Sequence, residues 1–168
     1  MNLQANPLEI ARTYRLLIEP GSVCEVRIPK TRASGTIAGF FDRPEPLIKA
    51  VVELREPAPG TYVTINPVNK ALLARAKNRL QMRIDTTTSD RDILGRRWLP
   101  IDIDPQRPSG ISATDEEHEA ALNRAREIRF TLSGEGWSQP ILASSGNGSY
   151  LLYAITLPND QAAENLIK

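Results

Sequence analysis

The chain is poor in the residues that most often announce a chemistry. Its 168 residues include one cysteine, Cys24, and one histidine, His118. A single thiol cannot close an internal disulfide, which suits a reducing compartment. Cys24 alternates with apolar neighbours in "SVCEVRI", and the only histidine lies in a charged stretch, so the thiol reads as a buried strand residue and not a nucleophile. Aromatic residues are 5% of the chain, too sparse for a row of base-stacking rings. No charge dominates either: 21 basic and 20 acidic side chains leave a net +1, so any contact with nucleic acid has to come from a local patch. No apolar run approaches the roughly 20 residues that span a bilayer. Glu9 and Arg12 interrupt the N-terminal pattern, which is therefore no signal peptide. Internal repeats and low-complexity segments are absent. These absences together point to a soluble cytoplasmic protein with no membrane partner.

What is present suits one globular domain, with 40% hydrophobic and 24% charged residues. Asn6-Pro7-Leu8-Glu9 predicts a helix start with Asn6 as cap and Glu9 closing a capping box, and Leu8, Ala11, Leu16 and Leu17 supply its apolar stripe. Strands are expected at 22–29 and 35–41, joined by a basic turn at 30–34. Asp42 is expected to cap a helix over 43–54, followed by a strand at 61–67 and a basic amphipathic helix at 69–80. Residues 83–93 read as a loop. A strand follows at 97–104, where Pro100 suggests an edge position. Thr114 and Glu117 form a capping box for a helix over 115–132. "GEGW" ends it, and strands are expected at 140–144 and 150–157. Pro158 and Asn159 lead into a last helix whose Ala162, Ala163, Leu166 and Ile167 need a partner. Trp98 and Trp137 flank strands and read as core.

Two stretches carry chemistry. In Ile101-Asp102-Ile103-Asp104 the side chains of a strand alternate, so the aspartates share one face and the isoleucines the other. Carboxylates two apart stand about 7 Å apart along a strand, within reach of one hard cation such as magnesium. The plain alternative is a solvent-facing strand end with Asp104 capping the turn at Pro105. The second stretch, "SSGNGSYLLY" (144–153), sets Asn-Gly between apolar runs, a strong hairpin signal. Its glycines would also let backbone N–H groups approach a phosphate, although the loop joins two strands and has no helix of its own to aim at the anion.

Taken together, "RRWLPIDIDPQRPSGISATDEEHEAAL", "SGNGSYLLY" and "LPND" resemble the archaeo-eukaryotic primase superfamily, and in particular the primase-polymerase domains at the N-terminus of phage and plasmid replication proteins. "PGSVCEVRIPKTR", "GFFD" and "YVTINPVN" are similar to the leader of such domains, so the likeness runs from about residue 10 to about residue 160. It implies an α/β (α+β) primase-polymerase-like fold: an N-terminal αβ unit over about 1–93, and a β-α-β-β-α half over about 96–168 on the RNA-recognition-motif plan. That half lacks the plan's last strand, so the single domain is expected to be truncated.

The resemblance further implies a DNA primase/polymerase of mobile-element type. Template-directed nucleotidyl transfer would use nucleoside triphosphates, single-stranded DNA and magnesium or manganese, with a helicase or a downstream polypeptide as possible partners. It makes Asp102 and Asp104 the catalytic metal ligands, and Ser145, Gly146, Asn147, Gly148 and Tyr150 the nucleotide-binding strand and turn. From the residues themselves, Arg107, just past Asp104, could hold a triphosphate, and Arg27, Lys30 and Arg32 either meet a template backbone or a nucleotide's phosphates or form a solvated hairpin tip. Lys70, Arg75, Lys77 and Arg79 form a second basic stripe. The sequence departs from the family pattern twice. Tyr150 stands where that pattern has histidine, and a neutral phenol cannot present a positive charge to a phosphate. The strand bearing a third metal carboxylate would follow the point where this chain stops. His118, with three acidic neighbours, reads as a surface residue and not a substitute. Two alternatives stand beside the enzyme: a nucleotide- or nucleic-acid-binding module without chemistry, and an assembly protein whose sheet a partner chain completes.

Overall fold

The structure, a computed structural model, describes residues 5–54, 60–108 and 111–167, and the side chain of Lys30 lies outside that description. The described chain is mixed α/β, with four α-helices and two three-stranded sheets. It divides into two compact units, Met1–Arg96 with Leu157–Lys168, and Arg97–Thr156.

In the first unit, α1 (Pro7–Leu17) begins as the sequence predicts. The Asn6 side chain accepts from the Leu8 and Glu9 amides at 2.9 and 3.4 Å. Its inward face differs from the expected one: Tyr14, Leu17 and Ile18 are buried, whereas Leu8 and Leu16 are exposed. Helical spacing groups Tyr14 with Ile10, Ala11, Leu17 and Ile18, and leaves Leu8 and Leu16 off that face. The strands β1 (Cys24–Thr31) and β2 (Gly35–Phe41) pair antiparallel, Cys24 opposite Phe41 and Ile28 opposite Ile37. On the other side β1 meets β3, which spans only Tyr62–Val63 of the strand expected over 61–67. There the Thr64 amide donates to the Glu25 carbonyl at 3.0 Å while its hydroxyl accepts from the Glu25 amide at 2.9 Å, so a side chain supplies one half of the next rung. As a resident of the central strand, Cys24 is fully buried, and burial pushes its thiol up to about 12. It is a core residue, as expected.

Two other expectations fail in this unit. The helix α2 (Pro44–Val52) is capped by Arg43 without a side-chain bond, and Asp42 instead accepts from the Asn78 amide group at 2.9 Å. The predicted helix over 69–80 is a 3-10 turn, Lys70–Arg75, which starts with Asn69 accepting from the Ala71 amide. Beyond Arg75 the backbone goes to the outer edge of β2. Phe40 donates to the Ala76 carbonyl, Asn78 to that of Phe40, and Ala38 and Gln81 exchange both bonds. Asn78 and Arg83 take left-handed conformations, φ 53° and 54°, which a helix cannot contain. The Arg79 carbonyl comes so close to Gly39 that a Cβ there would lie 2.0 Å from it. Tertiary pairing thus overrides helical propensity. Leu72 and Ala76 still turn inward, joining Val23, Phe40 and Val68 in one core cluster.

In the second unit the order follows the sequence reading. β4 (Gly95–Ile103), α3 (Asp115–Gly134), β5 (Ile141–Ser144) and β6 (Ser149–Pro158) make a sheet of order β4-β6-β5, with Pro100 on an edge strand as expected. The Thr114–Glu117 capping box is present, with Thr114 N to Glu117 Oε2 at 2.8 Å and Glu117 N to Thr114 Oγ1 at 3.2 Å. Ile103, Leu151 and Tyr153 meet Ala121 and Ala125 of α3, so this helix covers one face of the sheet. Alanines on α3 let the helix approach the strands closely. Trp98 is buried. Trp137 is 42% exposed yet packs edge-on against Tyr153 at 5.1 Å, so it caps the cluster and does not fill it. The last helix, α4 (Gln161–Ile167), is capped by Asp160 and buries Ala163, whereas Leu166 stays 74% exposed. It goes with the first unit, where Asn159 donates to the Asp90 and Ile93 carbonyls.

Candidate functional site

The second unit brings both chemical stretches to one place. Because Ile101 and Ile103 turn toward α3, Asp102 and Asp104 stand exposed on the opposite face of β4, as strand alternation requires. β6 is the neighbouring strand. Leu151 and Tyr153 take the α3 side, which sends Tyr150 to the carboxylate side, where its hydroxyl donates to the Asp102 carboxylate. Packing around Asp102 and the negative charge of Asp104 raise its carboxyl above the usual range, and the tyrosine bond offsets part of that rise.

The turn between β5 and β6 rests directly on the end of β4. Ser144 pairs with Ser149 as the last rung, leaving Ser145–Gly148 as a four-residue loop. A Cβ at Gly148 would lie 2.7 Å from the Ile103 carbonyl and 3.5 Å from Asp104 Oδ1. Glycine is therefore needed at 148 for close approach of the two chains. The hairpin expectation holds, and the loop closes on itself: Ser145 N donates to the Gly148 carbonyl at 3.1 Å. Ser145 Oγ accepts from Gly148 N at 2.9 Å and Asn147 N at 3.4 Å, and Ser144 Oγ accepts from Gly146 N at 3.1 Å. The amides that would cradle a phosphate are thus held by the loop's own serines.

The start of α3 is tied to the same turn. Asn147 Oδ1 accepts from the Ala113 amide at 3.2 Å, and His118 Nε2 lies 2.8 Å from Ser144 Oγ. His118 is half-buried against the turn, not a free surface residue as its acidic neighbours suggest. The signal was its position: three residues beyond Asp115, it lies one helical turn in, on the side of the capped N-terminus that meets the hairpin. That N-terminus already carries Asp115, Glu116 and Glu117, whose charges satisfy the helix dipole and repel an anion. Arg107 donates to the Ile111 carbonyl, while its Nε is buried without a partner among the described residues.

The other basic candidates belong to the first unit. Arg27 grips the fully buried Glu25 through Nε and Nη2 at 3.4 and 2.6 Å and donates to the Thr88 carbonyl at 2.9 Å. Thr88 N adds a third bond to the same carboxylate at 3.1 Å. These bonds make Arg27 a structural partner, and the clue in the sequence is Glu25 and Arg27 two apart on one strand face. Arg32 is exposed in the turn after β1, and the Lys30 side chain lies outside the described residues.

The donor set of Asp102 and Asp104 fits a hard divalent cation that completes its shell with water and phosphate oxygens. Among the described residues no group of three or more histidine, cysteine or acidic side chains stands ready for a metal, so the pair would form an open site and not a protein cage. No helix of the described residues is long and apolar enough to cross a membrane. Comparison with protein-family models, with curated proteins and with solved structures finds no match to this chain.

Proposed function

We propose that the protein is a primase-polymerase-type replication domain of mobile-element character, acting on nucleoside triphosphates and single-stranded DNA. One observation carries the reading: the Ser-Gly-Asn-Gly turn packs against the strand end that bears the two aspartates, with Tyr150 bonded to Asp102. The strand order β4-β6-β5 with α3 on one face is also the order expected of a split β-α-β-β half. In the proposed reaction a 3′-hydroxyl attacks the α-phosphate of a nucleoside triphosphate and pyrophosphate leaves. Magnesium or manganese, when bound, supplies charge neutralisation on the phosphates. Asp102 and Asp104 hold that cation, and Tyr150 orients the Asp102 carboxylate. The His118–Ser144 contact and the Asn147 bond tie the turn to the start of α3.

Primer extension and de novo priming on single-stranded template, with magnesium or manganese, test the reading. Activity that disappears in Asp102→Asn and Asp104→Asn supports it. If wild type and both variants are silent and also bind Mn²⁺ equally weakly, the reading fails. A second reading, nucleotide or nucleic-acid binding without chemistry, is favoured by the self-satisfied turn, whose amides already have serine partners. Salt-dependent binding of a labelled single strand without extension would select it.

A further inference from the structure

The segment that closes the outer edge of β2, with its flanks, carries a third of the chain's basic residues. Between residues 70 and 96 seven lysines and arginines stand against three aspartates, in a chain whose net charge is only +1. Within this segment a cleft of about 290 Å³ opens beside β2, with Arg75, Arg83, Gln81 and Thr86 in its walls and Asp85 as its one acidic residue. Among the described residues neither guanidinium makes a hydrogen bond or a salt bridge within 4 Å, in contrast to Arg27; the Asp92 carboxylate, held by Ser89, feels the charge of Arg75 from outside the cleft walls. Arg83 is held firmly by its backbone: its amide donates to the Ser34 carbonyl at 3.0 Å, and that of Ile84 to Thr36 at 2.9 Å. Its φ of 54° is one that few non-glycine residues adopt. The aromatic ring bordering the cleft, Phe40, is buried in the core, so no ring is presented for base stacking.

We propose that this cleft binds the phosphodiester backbone of single-stranded nucleic acid, with Arg75 and Arg83 as its cations and Gln81 and Thr86 as neutral donors. Two guanidiniums against the single carboxylate of Asp85 make the cleft's lining net positive, with Asp92 outside the lining and already bonded to Ser89, and its size, near the lower limit for ligand sites, suits a phosphate and part of its sugar. Contacts to phosphate and sugar carry no sequence information, so binding is indifferent to base identity. The proposal extends the preceding reading by assigning a place on the first unit where a strand is held, and it does not require the carboxylate pair to be active.

Fluorescence anisotropy of 5′-labelled oligothymidylates across 50–300 mM salt tests it. Arg75→Gln and Arg83→Asn remove the charges, and asparagine tolerates the left-handed backbone at 83. Each variant is expected to weaken binding severalfold at 100 mM salt and to reduce the slope of log affinity against log salt by about 0.7, with Arg83→Lys retaining the slope. Circular dichroism and the melting temperature identify any variant that is misfolded, and for such a variant the wild type's protection of Arg75 and Arg83 from phenylglyoxal by the oligonucleotide decides instead. The assignment is overturned by a folded double variant that binds like wild type, by no protection of either arginine, or by a wild type that fails to bind at 50 mM salt. Affinity that does not rise from two to eight nucleotides, with full displacement by inorganic triphosphate, also overturns it in favour of a free-phosphate site. Asp102→Asn and Asp104→Asn are expected to leave this binding unchanged. A wild type that binds the oligonucleotide but neither primes nor extends, and binds Mn²⁺ no better than those two variants, therefore sinks the enzyme reading without touching the cleft.

Discussion

The phenol of Tyr150 donates its hydrogen bond to the carboxylate of Asp102, joining the two strands that carry the candidate site. The bond favours the ionised form of an aspartate that its packing and the Asp104 charge push the other way. Tyr150→Phe is therefore expected to raise the Asp102 pKa further, read from the carboxyl carbon shift in an NMR titration between pH 3 and 8. An unchanged titration would show that the phenol does not act on this carboxyl. Because the folded pKa lies above the unfolded value near 3.9, stability falls as pH rises from the unfolded value through the folded one, and the loss then persists at neutral pH. Tyr150→Phe widens that window.

Gly148→Ala sets a methyl group 2.7 Å from the Ile103 carbonyl, a backbone atom that can move only with β4. A loss of about 1–3 kcal/mol is expected in urea unfolding. Mn²⁺ binding should weaken as well, since Asp104 lies in the same contact. A variant as stable as wild type would mean that the turn does not sit on the strand end.

Arg27→Ala leaves Glu25 buried with only the Thr88 amide for its charge. Removing one partner of such a pair costs about 3–5 kcal/mol, so the variant is expected to unfold at markedly lower urea, or not to accumulate at all. Arg27→Ala with Glu25→Gln should recover much of that loss, because the unpaired charge is gone. If Arg27→Ala melted like wild type and lost only nucleic-acid binding, Arg27 would instead be an interface residue.

The Asn78 amide, and after it Arg43, hold the Asp42 carboxyl below the usual range. A depressed folded pKa contributes stability that is present above the unfolded value and is lost as pH falls through the folded one. Asn78→Gly keeps the left-handed backbone at φ 53° but removes the bond. It is expected to cost about 1 kcal/mol at pH 7 and to flatten the acid limb of the stability curve below pH 4. An acid limb as steep as that of wild type would place the proton linkage elsewhere.

Local chemistry made much of this legible in the sequence. The turn expected at 30–34, which falls at 32–34 because β1 runs on through Thr31, the capping box on α3 and the glycine-bearing hairpin depend on residues within a few positions of each other. The alternation of Ile101, Asp102, Ile103 and Asp104 likewise needs only the period of a strand. The failures depend on distant partners. Residues 69–80 have a helical pattern, but the open edge of β2 competes for their backbone, and nothing inside the window announces that edge. Asp42 precedes a helix and looks like its cap, yet Pro44 at the first turn moves the cap to Arg43 and frees the carboxylate for Asn78, 36 positions away. The acidic neighbours of His118 in sequence mark it as a surface residue, and what they do not announce is its partner in space, Ser144.

The closure of β2 is made by main-chain atoms, from the Ala76 carbonyl to the Ile84 amide. Such a closure constrains backbone angles at Asn78 and Arg83 but asks little of the other outward side chains between them. Stability and surface charge are thereby decoupled along this segment. Lys77 and Arg79 can be exchanged for acidic or neutral residues with the sheet edge still covered, so the electrostatic character of this flank is free to drift, or to be selected, without renegotiating the fold.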